Sequence, residues 1–498
     1  MIGIYLNQPY FEQDIRPLLM SFFPGKSLKA FIGEEQIERE NLSACLSVLY
    51  TETGADLIWE AVPSFAAGLE AEAGDIIQIV CQRKTPDFSL QDHKEGKNVV
   101  KRAVYNLLSD LTGKKLPWGS LTGIRPTKIA VTMLEKGATD EAVMEHYRQE
   151  YFCSDQKAAL SLEIAHKELD ILKNIDYEEG YSLYIGIPFC PTTCLYCSFT
   201  SYPIGKWKKR VDEYLDCLCK EIDYVAEAFA HRKLNTVYIG GGTPTTLEAE
   251  QLERLIVKVK ESFDLTWLQE FTVEAGRPDS ITRDKLEVIH RQGITRISIN
   301  PQTMKDATLK IIGRQHTVDQ IRQVYGLARE VGIDNINMDM ILGLPDETIE
   351  DVAGTMEALK VLDPDNITVH SLAVKRAARL NTARADYTAY RMENTDEMID
   401  LTETYARAMG MEPYYLYRQK NMSGNLENVG YAKPGKAGIY NILIMEEKQT
   451  IVAVGAGATT KAVFGERIER CENVKDIYHY LERIDEMIER KKQLFAGK

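Results

Sequence analysis

A chain of 498 residues with 44% hydrophobic and 27% charged side chains is long enough for two or three domains and has the composition of an ordinary soluble globular protein. Its formal charge of −14 argues against nucleic acid as a partner, because phosphate binding wants a basic face, but leaves room for an anionic small substrate in a locally basic lining. No apolar run reaches the length of a membrane span, MIGIYLNQPYFEQD has no secretory pattern, and nine cysteines, an odd count with three in one loop, point to a reducing cytoplasm rather than a disulfide framework.

Residues 1–93 carry the alternating runs MIGIYL, SACLSVLYT, ADLIWEAV and DIIQIVC, which predict a small α+β module. Residues 94–175 turn helical in NVVKRAVYNLLSDL, TKIAVTMLEKG, TDEAVMEHYRQEYF and DQKAALSLEIAHKELDILKNI. Inside them LPWGSLTGIRPTK sets Arg125 and Lys128 beside Trp118, either to meet an anionic ligand or as a Pro/Gly-rich connector around a packed Trp. Residues 176–380 alternate the strand-like YSLYIGI, NTVYIG, EFTVEA, RISIN, NINMDMIL and NITVHSL with amphipathic stretches such as AEQLERLIVKVKESF and VDQIRQVYGLAREVG. Short apolar strands each followed by a helix predict βαβ units, a parallel sheet and most of a barrel, with the chemistry at the strands' C-terminal ends. Residues 381–498 predict a helix near 392–409, strands at PYYLYRQ, YNILIM and TIVAVG, and a final charged helix.

The chemistry is concentrated after the first of these strands, where YIGIPFCPTTCLYCSF holds Cys190, Cys194 and Cys197. Three thiolates at this spacing can hold three irons of a [4Fe–4S] cluster and leave the fourth iron without a protein ligand. Structural zinc is the competing reading and needs a fourth ligand. No histidine lies between Asn174 and Ala230, and Cys217 and Cys219, two apart in a helical run, point away from each other. The second strand ends in Gly240-Gly241-Gly242-Thr243-Pro244-Thr245, where missing side chains let backbone approach a ligand; it has neither the Lys-Ser/Thr of a P-loop nor dinucleotide spacing. Glu274, Gln302, Arg314 and Asp339 then fall at or near the ends of later strands, facing the same loop.

The cysteine spacing with GGGTPT resembles the radical S-adenosylmethionine (SAM) superfamily. The wider set YIGIPFC, YCSF, VEAGRPD, NPQTM, IIGRQHT and NMDMILGLP resembles the oxygen-independent coproporphyrinogen III dehydrogenase family, and with LPWGSLTGIRPTK its HemZ-like branch. The resemblance implies an α/β fold: a partial (β/α)6 barrel with an extra N-terminal α+β region and a C-terminal α+β domain. It implies that Cys190, Cys194 and Cys197 ligate the cluster and that SAM chelates the open iron. Tyr184 would lie beside this cofactor, Tyr196 over its adenine, Gly241, Gly242 and Thr243 around its methionine end, and Glu274 would contact it. Gln302, Arg314, Asp339 and the backbone of Ala373 would line a second SAM. The implied reaction removes a hydrogen atom, an electron and carbon dioxide from each of two propionates of coproporphyrinogen III, leaving the vinyls of protoporphyrinogen IX. A reduced flavodoxin- or ferredoxin-type protein would supply electrons. Lys206, Lys208, Lys209 and Arg210, and later Lys375, Arg376 and Arg379, are candidates for the substrate carboxylates or for a solvated face.

The pattern departs in two places. Phe199 stands where the dehydrogenase has a further cysteine, and Asn300-Pro301-Gln302 replaces a GVQ segment. A sister branch that binds and delivers haem carries His-Asn-x-x-Tyr-Trp ahead of a GxGxGA-like segment. Here Tyr440-Asn441-Ile442-Leu443-Ile444-Met445 precedes GAGA at 455–458, so the haem-ligating histidine is missing. Haem delivery and a radical methylase or haem-opening reaction are the alternative functions.

Overall fold

The computed structural model describes residues 1–33, 42–66, 78–123, 125–373, 390–419 and 426–496. They gather into two compact units, Met1–Leu162 with Arg418–Leu426, and Glu163–Tyr417 with Glu427–Lys498.

The first unit is built on a five-stranded sheet of β1 (Ile2–Leu6), β2 (Leu28–Ile32), β3 (Ala44–Tyr50), β4 (Ala55–Ala61) and β5 (Gln78–Lys84), in the order β2-β1-β3-β4-β5. β1 runs parallel to β2 and β3, so the chain must cross over between β1 and β2, and the helix Glu12–Phe22 makes that crossing. Its Ile15, Leu18, Leu19 and Phe22, at helical spacing, are buried in the sheet's core. The helix His93–Thr112 adds Val100, Val104, Leu107 and Leu108 to this core. It begins where the Asp92 carboxylate accepts from the Glu95 amide and stops at Gly113 in the left-handed region, φ +68°. Trp118 is wholly buried, with the Arg418 guanidinium 5.3 Å over its ring. Gly119, at φ +51°, leaves room for the Tyr151 carbonyl where a Cβ would lie 1.9 Å from it. This turn is a packed connector, and Lys128 is exposed on it.

The second unit holds one large sheet. Its strands are β6 (Gly180–Ile187), β9 (Lys233–Gly241), β10 (Glu270–Gly276), β11 (Arg296–Ile299), β12 (Ile336–Leu342), β13 (Asn366–Ser371), β14 (Glu412–Tyr417), β15 (Asn428–Ala432), β16 (Thr450–Val454), β17 (Thr459–Phe464) and β18 (Arg467–Glu472). A separate short pair joins β7 (Phe189–Cys190) to β8 (Tyr202–Pro203). In the order β14-β15-β13-β12-β11-β10-β9-β6-β16-β17-β18, the run from β13 to β6 is parallel and comprises the six strands expected from the sequence. The helices Ala249–Ser262, Val318–Val331 and Ile349–Leu362 start at capping boxes on Glu248/Gln251, Thr317/Gln320 and Thr348/Asp351, which fix where each strand-to-helix loop ends. A seventh parallel strand comes from far along the chain: β16 pairs with β6, setting Ala453 opposite Tyr184.

One expected strand is a helix. YNILIM lies within the helix Ile439–Glu446, whose Tyr440, Ile442 and Leu443 are buried. A short run apolar on every side has no period to separate strand from helix, and burial on several faces suits either. Among the described residues no helix is long and apolar enough to cross a membrane.

The end of β6 is locked from behind by a buried polar network. Glu221, fully buried on the helix Val211–Ala228, accepts from the Gly455 amide (2.8 Å), Tyr480 Oη (2.7 Å), Asn473 Nδ2 (2.8 Å) and Lys491 Nζ (2.6 Å). Tyr214, about two turns earlier on that helix, donates to the Gly186 carbonyl (2.7 Å) and accepts from the Ala456 amide (3.0 Å). A buried ion pair this well bonded is tolerable, whereas removing one partner strands a charge. Lys491→Met should cost about 3–5 kcal/mol, read as a lowered urea midpoint of the apoprotein.

Candidate active site

β6 delivers the chain to Phe189 and Cys190, and the loop beyond carries Cys194 and Cys197 before returning through β8. Cys190 and Cys194 are buried and Cys197 is half-buried; all nine cysteines are free. Two bonds pin the loop to the segment around Arg314: the Leu195 amide donates to the Ile312 carbonyl (3.0 Å) and the Thr192 hydroxyl to the Gly313 carbonyl (3.1 Å). Donors reach all three sulfurs, Cys197 through the Phe199 amide and the Ser201 hydroxyl. Thr243 Oγ1 lies 3.5 Å from Cys190 Sγ, and Arg277 Nη1 lies 3.7 Å from Cys194 Sγ. Burial pushes the Cys190 thiol up to about 11, so without a metal it stays protonated. Among the described residues no three His, Cys, Asp or Glu side chains surround a point suited to a single metal ion. A [4Fe–4S] cluster takes each thiolate on a different iron. Donors at all three sulfurs suit iron-bound thiolates, which accept hydrogen bonds far better than thiols do.

The glycine run zips onto this loop. The Gly242 amide donates to the Ile187 carbonyl and the Thr243 amide to the Phe189 carbonyl, each at 2.7 Å. A Cβ on Gly242 would meet the Phe189 oxygen at 2.5 Å, and Gly241 sits at φ +108°. The glycines therefore serve first to let two backbones touch, and the Gly242 and Thr243 N–H groups are already engaged.

Inside the barrel Tyr184, Tyr238 and Tyr440 stack, with the last two ring centroids 4.4 Å apart. Tyr238 donates to Glu274 Oε1. Burial pushes the Glu274 carboxyl up to about 7, against the Tyr238 hydrogen bond and the Gly241 amide, which favour the anion, and with the Asp339 charge adding to the rise. Asp339 is held below the usual carboxylate range: burial works against ionisation, but His370, whose Nε2 is 3.7 Å away, and Asn337 Nδ2 at 2.6 Å outweigh it. Gln302 adopts a left-handed backbone, φ +69°, pinned by its amide to the Asp339 carbonyl and by its carbonyl to the Ile341 amide, both 2.9 Å. Its buried Oε1 has no partner, nor has Arg314 Nε. The rest of the Arg314 guanidinium reaches the Asn300 carbonyl and Tyr196 Oη, and it faces Cys194. Asn300 also accepts from the Asp339 amide (3.3 Å), so the altered segment braces β12. Ala373 follows directly on β13.

The cluster and SAM residues expected from the sequence thus all lie in the second unit, on the parallel strands or the loops that follow them, except Arg314, which follows the helix Asp306–Ile311. The basic candidates fare differently. Lys208 pairs with Glu248, Arg210 chelates Glu213 and covers the Tyr478 ring, and Lys206 and Lys209 are exposed, as on a solvated face. Lys375, Arg376 and Arg379 lie outside the described residues. Sequence reasoning assigned no role to Arg277, His370, Tyr238 or Tyr440. Arg277 had a visible signal, a charge between the glycine and proline of VEAGRPD at a strand end.

Comparison with known proteins fits this geometry. The Radical SAM superfamily model matches residues 184–359. A Bacillus subtilis protein, the oxygen-independent coproporphyrinogen-III oxidase-like protein HemZ, is 40% identical over 82% of this chain and 84% of its own length. The chain belongs to the radical SAM superfamily, in its HemZ-like branch. A haem chaperone, HemW of Lactococcus lactis, is 31% identical over 64% of this chain and 80% of its own length. The structure of the Escherichia coli coproporphyrinogen III oxidase HemN, a radical SAM enzyme, superposes with a TM-score of 0.51 at 23% identity, covering 64% of this chain and 73% of that one, and shares the fold. Membership of the radical SAM superfamily implies a [4Fe–4S] cluster and SAM.

Two expectations follow. Gly242→Ala should displace the Phe189 backbone at a cost of roughly 1–3 kcal/mol and lower the iron retained per chain severalfold after anaerobic reconstitution, measured by iron assay. A carboxyl that binds its proton more tightly folded than unfolded stabilises the fold below its ordinary value of 4.5, and loses that contribution as the pH rises through about 7. Glu274→Gln should therefore flatten the decline in apoprotein stability between these pH values, followed by urea midpoints.

Proposed function

We propose that this chain oxidatively decarboxylates two propionates of coproporphyrinogen III to vinyls, giving protoporphyrinogen IX. The observation that carries the reading is the cysteine loop after β6, with hydrogen-bond donors already aimed at Cys190 and Cys194, with Glu274 and Asp339 on β10 and β12, and with Gln302 and Arg314 on the segment beyond β11. In this reading Cys190, Cys194 and Cys197 each hold one iron. The cluster and SAM, when bound, supply a carbon-centred radical that removes a hydrogen atom from an unactivated carbon. The protein's part is to position, to exclude water and to set the local charge.

With their amides engaged, Gly241 and Gly242 would meet the methionine end through carbonyl oxygens, which accept from its ammonium. Tyr184 and Glu274 flank this place, and Tyr196, steadied by Arg314, would cover the adenine. The unpartnered Gln302 Oε1 and Arg314 Nε, with Asp339 and the Ala373 backbone, offer polar groups to a second SAM. Each vinyl requires loss of one hydrogen atom, one electron and carbon dioxide, so a one-electron reductant of the flavodoxin or ferredoxin class and an electron acceptor complete the system.

Haem delivery, the function in the names of the HemW relatives, is the second reading. Tyr440, at the place of that branch's haem-ligating histidine, is 5% exposed and stacked on Tyr238, which weighs against it. Anaerobically reconstituted protein given SAM, a reductant, an electron acceptor and coproporphyrinogen III should release protoporphyrinogen IX with about two 5′-deoxyadenosines per product, as expected when the cofactor is consumed once per propionate. Cys194→Ser should abolish both products. Deoxyadenosine without vinyl product would discard the reaction, and stoichiometric haem binding without either product would favour delivery.

A further inference from the structure

We infer that Arg277, paired with Asp279, sets the reduction potential of the cluster through Cys194, a positioning role that rests on the three-cysteine cluster of the reading above. Arg277 lies just past β10, and its side chain is 3% exposed. Its fork is fully used: Nε and Nη2 bond the two Asp279 carboxylate oxygens at 2.9 and 2.6 Å, and Nη1 bonds the Thr192 carbonyl at 2.9 Å and hydroxyl at 2.8 Å. The same Nη1 faces Cys194 Sγ at 3.7 Å. Behind Asp279 stands a fully buried His316, its Nδ1 3.6 Å from the carboxylate. The guanidinium is therefore fixed on both sides, with Nη1 held beside the Cys194 sulfur.

A cluster gains negative charge on reduction, much of it on the sulfurs. An N–H aimed at a ligating sulfur favours the reduced state and raises the potential, and bonds of this kind are one of the protein's means of tuning such clusters. In this buried place charge is weakly screened, so the pair's two halves act with opposite sign. Losing the guanidinium leaves the Asp279 anion facing the cluster and lowers the potential. Neutralising Asp279 leaves the cation uncompensated and raises it. A guanidinium that merely clamps the loop through Thr192 would alter cluster retention in both variants and move the potential in neither.

Full-length wild type, Arg277→Gln, Asp279→Asn and the double variant are reconstituted anaerobically and titrated by EPR-monitored redox potentiometry without substrate, alongside iron and sulfide content. Arg277→Gln should shift the reduction equilibrium at least tenfold toward the oxidised cluster, 59 mV for one electron. Asp279→Asn should shift it toward the reduced cluster, and the double variant should fall between. Shifts of the same sign, or potentials equal to wild type, overturn the inference. Should Arg277→Gln retain no iron, Asp279→Asn decides alone: an upward shift supports the role and an unmoved potential overturns it. A wild type that assembles no [4Fe–4S] cluster overturns the underlying reading and this inference together, and iron and sulfide content separates that failure from an unmoved potential.

Discussion

The site depends on contact between two stretches of bare backbone. Gly242 and Thr243 donate to the carbonyls of Ile187 and Phe189 at 2.7 Å, and no side chain fits between them. That contact ties the end of β9 to the exit of β6, so the first cysteine leaves the sheet at a fixed height and direction. The Thr243 hydroxyl then reaches the Cys190 sulfur because its own amide is already anchored on the carbonyl of Phe189, the residue before that cysteine. Glycine here does mechanical work in the sheet as well as clearing space for a ligand, and both demands fall on the same residues.

Around this contact the barrel arranges charge in layers. Buried acids and bases alternate across adjacent strands: Glu274 on β10, Arg296 on β11, Asp339 on β12 and His370 on β13. In a low-dielectric interior such groups decide one another's protonation. The Glu274 carboxyl is pushed up to about 7 while the Asp339 carboxyl is held below its usual range, because His370 and Asn337 serve Asp339 while Glu274 faces tyrosines.

The parallel strands were legible because each is a short apolar run followed by a strongly amphipathic helix. The cysteine loop was legible because its spacing is rare and chemically specific. Less was readable elsewhere. LKAFI, now β2, gives a parallel edge strand whose partner is the N-terminal strand beyond a helix, a pairing no local pattern announces. YNILIM is apolar apart from Asn441 and too short to show a period; it forms a helix that packs Tyr440 against the barrel tyrosines. Arg277 received no role from the sequence, because only the fold brings Thr192 and Cys194 to it. The run Lys206–Arg210 read as either a substrate lining or a solvated face, and in the fold Lys208 pairs with Glu248 and Arg210 with Glu213. Long-range partners, rather than local composition, decide each of these.

β16 carries a temporal consequence. The strand that launches the cysteines has β9 as its only neighbour until residues 450–454 are made, and Gly455 and Ala456 must then bond Glu221 and Tyr214 to close the back of it. During synthesis, which proceeds from the N-terminus, most of the barrel can emerge from the ribosome while this flank stays open. Pairings so distant along the chain form late and slowly. A loop settled enough to take iron and sulfide therefore exists only after translation has passed that strand.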